Sequence, residues 1–295
     1  MLPRTVISAQ NLLVINTTFS NTNGTPPASG VDLEPDPSTG PNAAHDLLRL
    51  TNLTFRDCLA ANNQGNGFGG YFSSMVSYDG KTGRGSKAYS RYPLTVLFDN
   101  CSIRGGGGGW SFGTIYPNLP GSIVIKGGEV TGTARPGVHI SSKALSSASI
   151  EFIGHTIRNV ATSSAADNCS AKAKAKGACP KGMLNTPILL AARHGQTPAI
   201  EGGVSFENCV IEDNRARPWL QVIGDAHPQK PTVPYPGASG QGRWTNVNLT
   251  NLRVTTVAPH LCTPQVLPEV AFGDIRSVNV SCKTDDTSQQ VSRGR

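Results

Sequence analysis

An eight-residue pattern recurs along the chain: apolar, any, apolar, any, turn residue, any, any, and usually apolar. It reads LLVINTTF from Leu12, LTFRDCLA from Leu53, VLFDNCSI from Val96, IVIKGGEV from Ile123, IEFIGHTI from Ile150, VSFENCVI from Val204 and VNLTNLRV from Val247. A weaker last copy falls near Val278. The first and third positions are apolar in every full copy, the alternation of a strand with one buried face. The fifth position holds Asn16, Asp57, Asn100, Gly127, Gly154, Asn208 and Asn251. Asn, Asp and Gly tolerate a left-handed backbone, so each strand is predicted to end in the same bend. A fixed bend after each short strand coils a chain on itself. The pattern predicts an all-β fold: a single-stranded right-handed parallel β-helix of about seven to eight coils with protruding loops.

Successive copies start 41, 43, 27, 27, 54 and 43 residues apart. The shortest interval is about one coil; the longer ones are a coil plus a loop, where function tends to reside. A second strand set lies between copies: GVDLEP from Gly30, GFGGYF from Gly67, GWSFG from Gly109, GVHIS from Gly137, PILLA from Pro187 and PWLQV from Pro218. Alternation turns Val31 and Leu33, Trp110 and Phe112, and Val138 and Ile140 inward. Stacking then aligns two outward columns. One holds Asp32, Gly69, Ser111, His139, Leu189 and Gln221; the other holds Glu34, Tyr71, Gly113, Ser141, Ala191 and Ile223. The β-helix is expected over residues 1–282, with a Lys/Ala-rich insertion at 161–185 and a polar, disordered tail at 283–295.

The 33 glycines and 21 prolines exclude a mainly helical chain. The net charge of +7 is concentrated at Lys172, Lys174, Lys176 and Lys181 in the insertion. Basic residues do not interleave with aromatics, so nucleic acid is not the expected partner. No apolar run approaches the ~20 residues of a membrane-spanning helix. No signal peptide precedes the repeats. The chain reads as an excised, mature or truncated form, with earlier coils or a partner expected to cover its first coil.

The repeats, together with NTNGTPPASGVDLEPD from Asn21, resemble secreted right-handed β-helix proteins of the pectin-lyase-like group. The resemblance covers roughly residues 5–280. It implies a secreted or cell-surface protein whose partner is a polysaccharide or other glycan. That group includes polysaccharide lyases, glycoside hydrolases, epimerases and non-catalytic surface proteins. The polygalacturonase and pectate-lyase signatures are absent here, so the resemblance assigns no catalytic residue. The leading expectation is a carbohydrate-active β-helix on an extended, acidic polysaccharide. The alternative is a non-catalytic structural or adhesive β-helix of a wall, surface or fibre.

Candidate chemistry centres on Asp32 and Glu34. Two apart on a strand, they face the same side with Cα atoms roughly 6.5–7 Å apart. Such a pair suits a nucleophile and acid in glycoside cleavage. With Asp36 they form a weaker alternative, a calcium site, since Ca²⁺ prefers oxygen ligands; no other cofactor is expected. His139 joins them as a candidate base. Tyr71, Ser111, Ser141, Lys143, Arg193 and Gln221 are candidate substrate contacts, and the loop residues His194, Asp225 and His227 are weaker ones. His155 occupies the buried sixth repeat position and reads as a core histidine.

Seven cysteines are present. Cys58, Cys101 and Cys209 share the sixth repeat position and are expected to be buried free thiols. Cys169 with Cys179, and Cys262 with Cys282, are expected disulfides, which implies an oxidising compartment. Sequons at Asn16, Asn23, Asn52, Asn100, Asn168, Asn248 and Asn279 add candidate glycosylation sites. Two of these, Asn16 and Asn100, are also bend residues of the repeat.

Overall fold

The computed structural model describes residues 4–6, 8–24, 28–34, 49–71, 76–78, 85–88, 93–113, 121–142, 148–163, 185–192, 203–223, 247–267 and 275–285. They form three parallel sheets of eight strands each, and every strand pairs with its counterpart one coil away. This is a parallel β-helix of eight coils. Sheet 1 comprises Arg4–Val6, Val31–Leu33, Asn66–Tyr71, Gly108–Gly113, Val138–Ser142, Ile188–Ala192, Leu220–Ile223 and Gln265–Leu267. Sheet 2 carries the eight-residue repeats, from Ala9–Ile15 to Ile275–Val278; sheet 3 runs from Thr18–Ser20 to Ser281–Thr284. A small antiparallel hairpin, Val76–Tyr78 with Gly85–Ala88, stands apart from the three.

The bends behave as the fifth repeat position requires. Asn16, Asp57, Asn100, Gly127, Gly154, Asn208, Asn251 and Asn279 all have φ between 50° and 64°. Each lies over the next, because its amide donates to the carbonyl just before the bend of the following coil, as from Asn16 to Arg56 and from Asn100 to Lys126. Register places the last repeat at Ile275, which pairs with Val247, and not at Val278. The cause is the third position, where Ser277 replaces the usual apolar residue and hides the copy.

A second left-handed bend follows five residues later, at Asn21, Asn62, Gly105, Gly132 and Asn159. Two bends so close together leave room for a three- or four-residue strand, which is why sheet 3 is narrow.

The core is built from the inward repeat positions. Phe55 stacks on Phe98 at 5.0 Å and Phe152 on Phe206 at 4.8 Å. Trp110 fills the centre, stacked on Phe68 at 4.9 Å. Trp219 is buried as well. The sixth-position column is buried at Cys58, Cys101, His155, Cys209 and Leu252, and the three cysteines are free thiols. Burial pushes the Cys101 thiol up to about 12 and Cys209 to about 11, so both are held as inert thiols.

His155 is a satisfied core histidine. Trp110 Nε1 donates to its Nε2 at 3.0 Å, and its Nδ1 meets the carbonyl of Gly127 at 2.6 Å. Indole N–H can only donate, so Nε2 must accept and Nδ1 must carry the proton. Cys262 and Cys282 form a disulfide near the last coil. Cys169 and Cys179 lie outside the described residues. The final strand continues through Thr284, two residues past the boundary read from sequence.

Candidate functional site

Sheet 1 holds the candidate residues in the predicted register. Asp32 pairs with Gly69, Gly69 with Ser111, Ser111 with His139, His139 with Leu189, and Leu189 with Gln221. In the second column Tyr71 pairs with Gly113, Gly113 with Ser141, Ser141 with Ala191 and Ala191 with Ile223.

At the first three coils this face opens into a cleft of about 550 Å³. Asp32 and Glu34 lie on one side, with Gln64, Asn66, Ser111 and Arg135 contributing polar groups. The floor is glycine. Gly69 follows Asp32 in the column, and a Cβ there would sit 2.7 Å from the backbone oxygen of Ser111. The gap beside Asp32 therefore exists because the close approach of two coils admits no side chain.

Asp32 is only 5% exposed. Its carboxyl is pushed up to about 6, first by burial, then by the negative charge of Glu34 and by a hydrogen bond with Glu34. Asp32 is thus the carboxyl of the cleft whose proton is held above the ordinary carboxylate range.

Arg135 was not singled out from the sequence. It lies between sheets 3 and 1 on the fourth coil. Its Nε donates to the carbonyl of Gly107 at 3.2 Å, and its guanidinium reaches Asn66 Oδ1 at 3.3 Å. Three of its five N–H groups make no hydrogen bond among the described residues, and no carboxylate there pairs with it. Burial draws its pKa below the ordinary arginine value. A half-buried cation with spare donors at a cleft wall suits an anionic ligand group.

The remaining candidates are dispersed. His139 is half-buried two coils beyond Gly69 and is not part of the cleft wall. Gln221 is fully buried and donates to Gln265 at 2.7 Å, away from the cleft. Tyr71 and Ser141 keep their predicted strand positions. Asp36, Lys143, Arg193, His194, Asp225 and His227 lie outside the described residues. Among the described residues no group of three metal-ligating side chains gathers. Of the sequons, Asn16, Asn23, Asn52, Asn100 and Asn279 are exposed and Asn248 is half-buried; Asn168 lies outside the described residues. No described helix is long and apolar enough to cross a membrane.

No family model, curated protein or solved structure matches the chain, so the reading of this cleft rests on its own chemistry.

Proposed function

We propose that this chain is a secreted or cell-surface, carbohydrate-active β-helix that binds an extended acidic polysaccharide over Asp32 and cleaves it. One observation carries the reading: a buried carboxyl raised to about 6 lines an open cleft together with a second acidic residue and a half-buried arginine. A carboxylic acid that keeps its proton up to about pH 6 is the form needed to donate to a departing glycosidic oxygen under mildly acidic conditions. Asp32 is the donor. Glu34 stabilises the positive charge that grows on the sugar ring until water adds to the anomeric carbon and loses a proton, forming the new reducing end, and Arg135 holds an anionic substituent such as a uronate carboxylate. The resemblance of the repeats to pectin-lyase-like proteins supports a polysaccharide ligand. The Cys262–Cys282 bridge and the sequons support export to an oxidising compartment.

The test is a panel of polygalacturonate, alginate and neutral glycans, followed for binding and for new reducing ends. Cleavage of an acidic glycan is expected, with loss of turnover in Asp32→Asn and Glu34→Gln. Binding without cleavage would identify a non-catalytic surface instead. Unchanged binding and turnover in both variants would remove the cleft from consideration.

A further inference from the structure

Beside the Asp32 cleft lies a second groove of about 430 Å³, and Gln64 lines both. Its character differs. Asn21, Asn23, Asn62 and Gln64 are exposed on its walls, Gly106 and Gly107 contribute backbone, and no charged residue lines it.

The amides are the feature that bears on a ligand. Several amides on the outer turns are spent on neighbours, although among the described residues those of Asn16 and Asn159 are not. Asn100 donates to Asp57 at 2.7 Å, Asn52 to Asn11 at 2.9 Å and Asn279 to Asn251 at 3.1 Å. The buried Asn63 beneath the groove is also fully engaged, accepting from Thr22 and donating to the Phe19 carbonyl. By contrast, the side-chain amides of Asn21, Asn23 and Asn62 make no hydrogen bond among the described residues.

At two of them the backbone selects Asn or Gly but does not choose between the two. Asn21 and Asn62 occupy the second bend, with φ of 56° and 53°, where glycine serves equally well, as at Gly132. Nor does the groove owe its depth to chance. A Cβ at Gly105 would meet Asn62 Oδ1 at 2.5 Å, and one at Gly107 would meet the Gln64 carbonyl at 2.1 Å. The glycine run thins the third coil and leaves the amides standing proud of it.

From this arrangement we infer that the amide groove is a second sugar-binding segment, taking the hydroxyl groups of the units that flank the reacting unit over Asp32. The inference rests on the function proposed above and adds a direction to it. Both cavities draw on the same first coils, so the polymer runs around the circumference of the solenoid, across the corner between sheets 3 and 1. It does not run along the stacked column toward His139 and Gln221. Carboxamides suit this task, because each offers a paired donor and acceptor to adjacent hydroxyls without demanding a charge.

The experiment compares the wild type with the triple variant Asn21→Gly, Asn23→Ala, Asn62→Gly, in which glycine preserves both left-handed bends. Oligosaccharides of two to eight units, taken from whichever panel polymer binds, are measured by calorimetry, and the fold is checked by circular dichroism and melting. The expected result is a roughly tenfold to hundredfold loss of affinity for the longest oligosaccharides, with dimers little changed. Equal affinity at every length, or an equal loss at every length, overturns the groove while leaving the Asp32 cleft intact. A wild type that binds no glycan of the panel overturns both.

Discussion

Replacing Arg217 with alanine should cost this fold about 3–5 kcal/mol, the loss typical of breaking one side of a buried ion pair. Arg217 Nε and Nη2 grip both oxygens of Asp213, at 2.7 and 2.9 Å. Nη2 also donates to the Val160 carbonyl at 2.8 Å, and Nη1 donates to Ala161 at 2.6 Å and to the carbonyl of Asn185. All five guanidinium donors are thus engaged. The side chains are 10% and 2% exposed, so water is poorly placed to replace the cation. Removing Arg217 strands the Asp213 carboxylate and takes a donor from three carbonyls, of which Ala161 keeps another, from Arg215 at 3.2 Å. Lysine would not rescue it, since three donors on one nitrogen cannot fork to a carboxylate and three carbonyls.

The position explains why so much is invested in one residue. Val160 precedes the Lys/Ala-rich insertion, and Ala161 and Asn185 are its first and last residues. Asn185 in turn donates to Ser163 and Ala134, closing the base of that insertion. Guanidinium unfolding of the wild type, Arg217→Ala, Asp213→Ala and the double variant gives the coupling directly. The double variant should be markedly less destabilised than the sum of the singles, because it leaves no unpaired charge. A loss below ~1 kcal/mol in Arg217→Ala, or simple additivity, would refute the argument.

His155 is fully buried, and burial draws it down to about 4 from an ordinary 6.5. The unfolded chain takes up that proton first, so stability should be full above pH 6.5 and fall by up to about 3 kcal/mol as pH drops toward 4; His155→Leu should lose this slope in pH-dependent melting, despite a lower starting stability. Asp32 has the opposite sign: its raised value makes the folded state lose stability between pH 3.8 and about 6. Asp32→Asn should therefore raise stability at pH 7 by roughly 1–3 kcal/mol while abolishing turnover, and an unchanged melting temperature would argue against a strained carboxyl. Cys262→Ser opens a loop with a sequence separation of 20, which should cost ~3 kcal/mol and make the melting temperature insensitive to added reductant.

The winding was readable because it repeats. A left-handed bend must recur at a fixed offset for coils to stack, and Asn, Asp or Gly at the fifth position announces it. The register of sheet 1 followed, since alternation fixes which side chains face out and stacking fixes their neighbours. The second bend was equally legible, as an Asn or Gly five residues after the first at Asn21, Asn62, Gly105, Gly132 and Asn159. It escapes notice because no apolar pattern accompanies it.

Arg135 and Arg217 mark the limit of this kind of reading. Each lies in the short segment between sheets 3 and 1, where the chain carries no period, and each donates to carbonyls of other coils. Their burial is a property of the stack and not of the local sequence. Yet the two sit in equivalent places and do opposite things. Arg217 has a carboxylate of its own four residues back, uses every donor internally and acts as a rivet. Arg135 has Gly107, Gly108 and Asn66 around its guanidinium and no carboxylate among the described residues, and it keeps donors in reserve at a cleft wall. A scaffold that can satisfy a buried arginine so thoroughly at one coil, and leaves another short two coils earlier, separates support from function by the presence of one acidic side chain. Installing such a partner near Arg135 would be expected to convert the site into a second rivet and to close the cleft to anionic ligands.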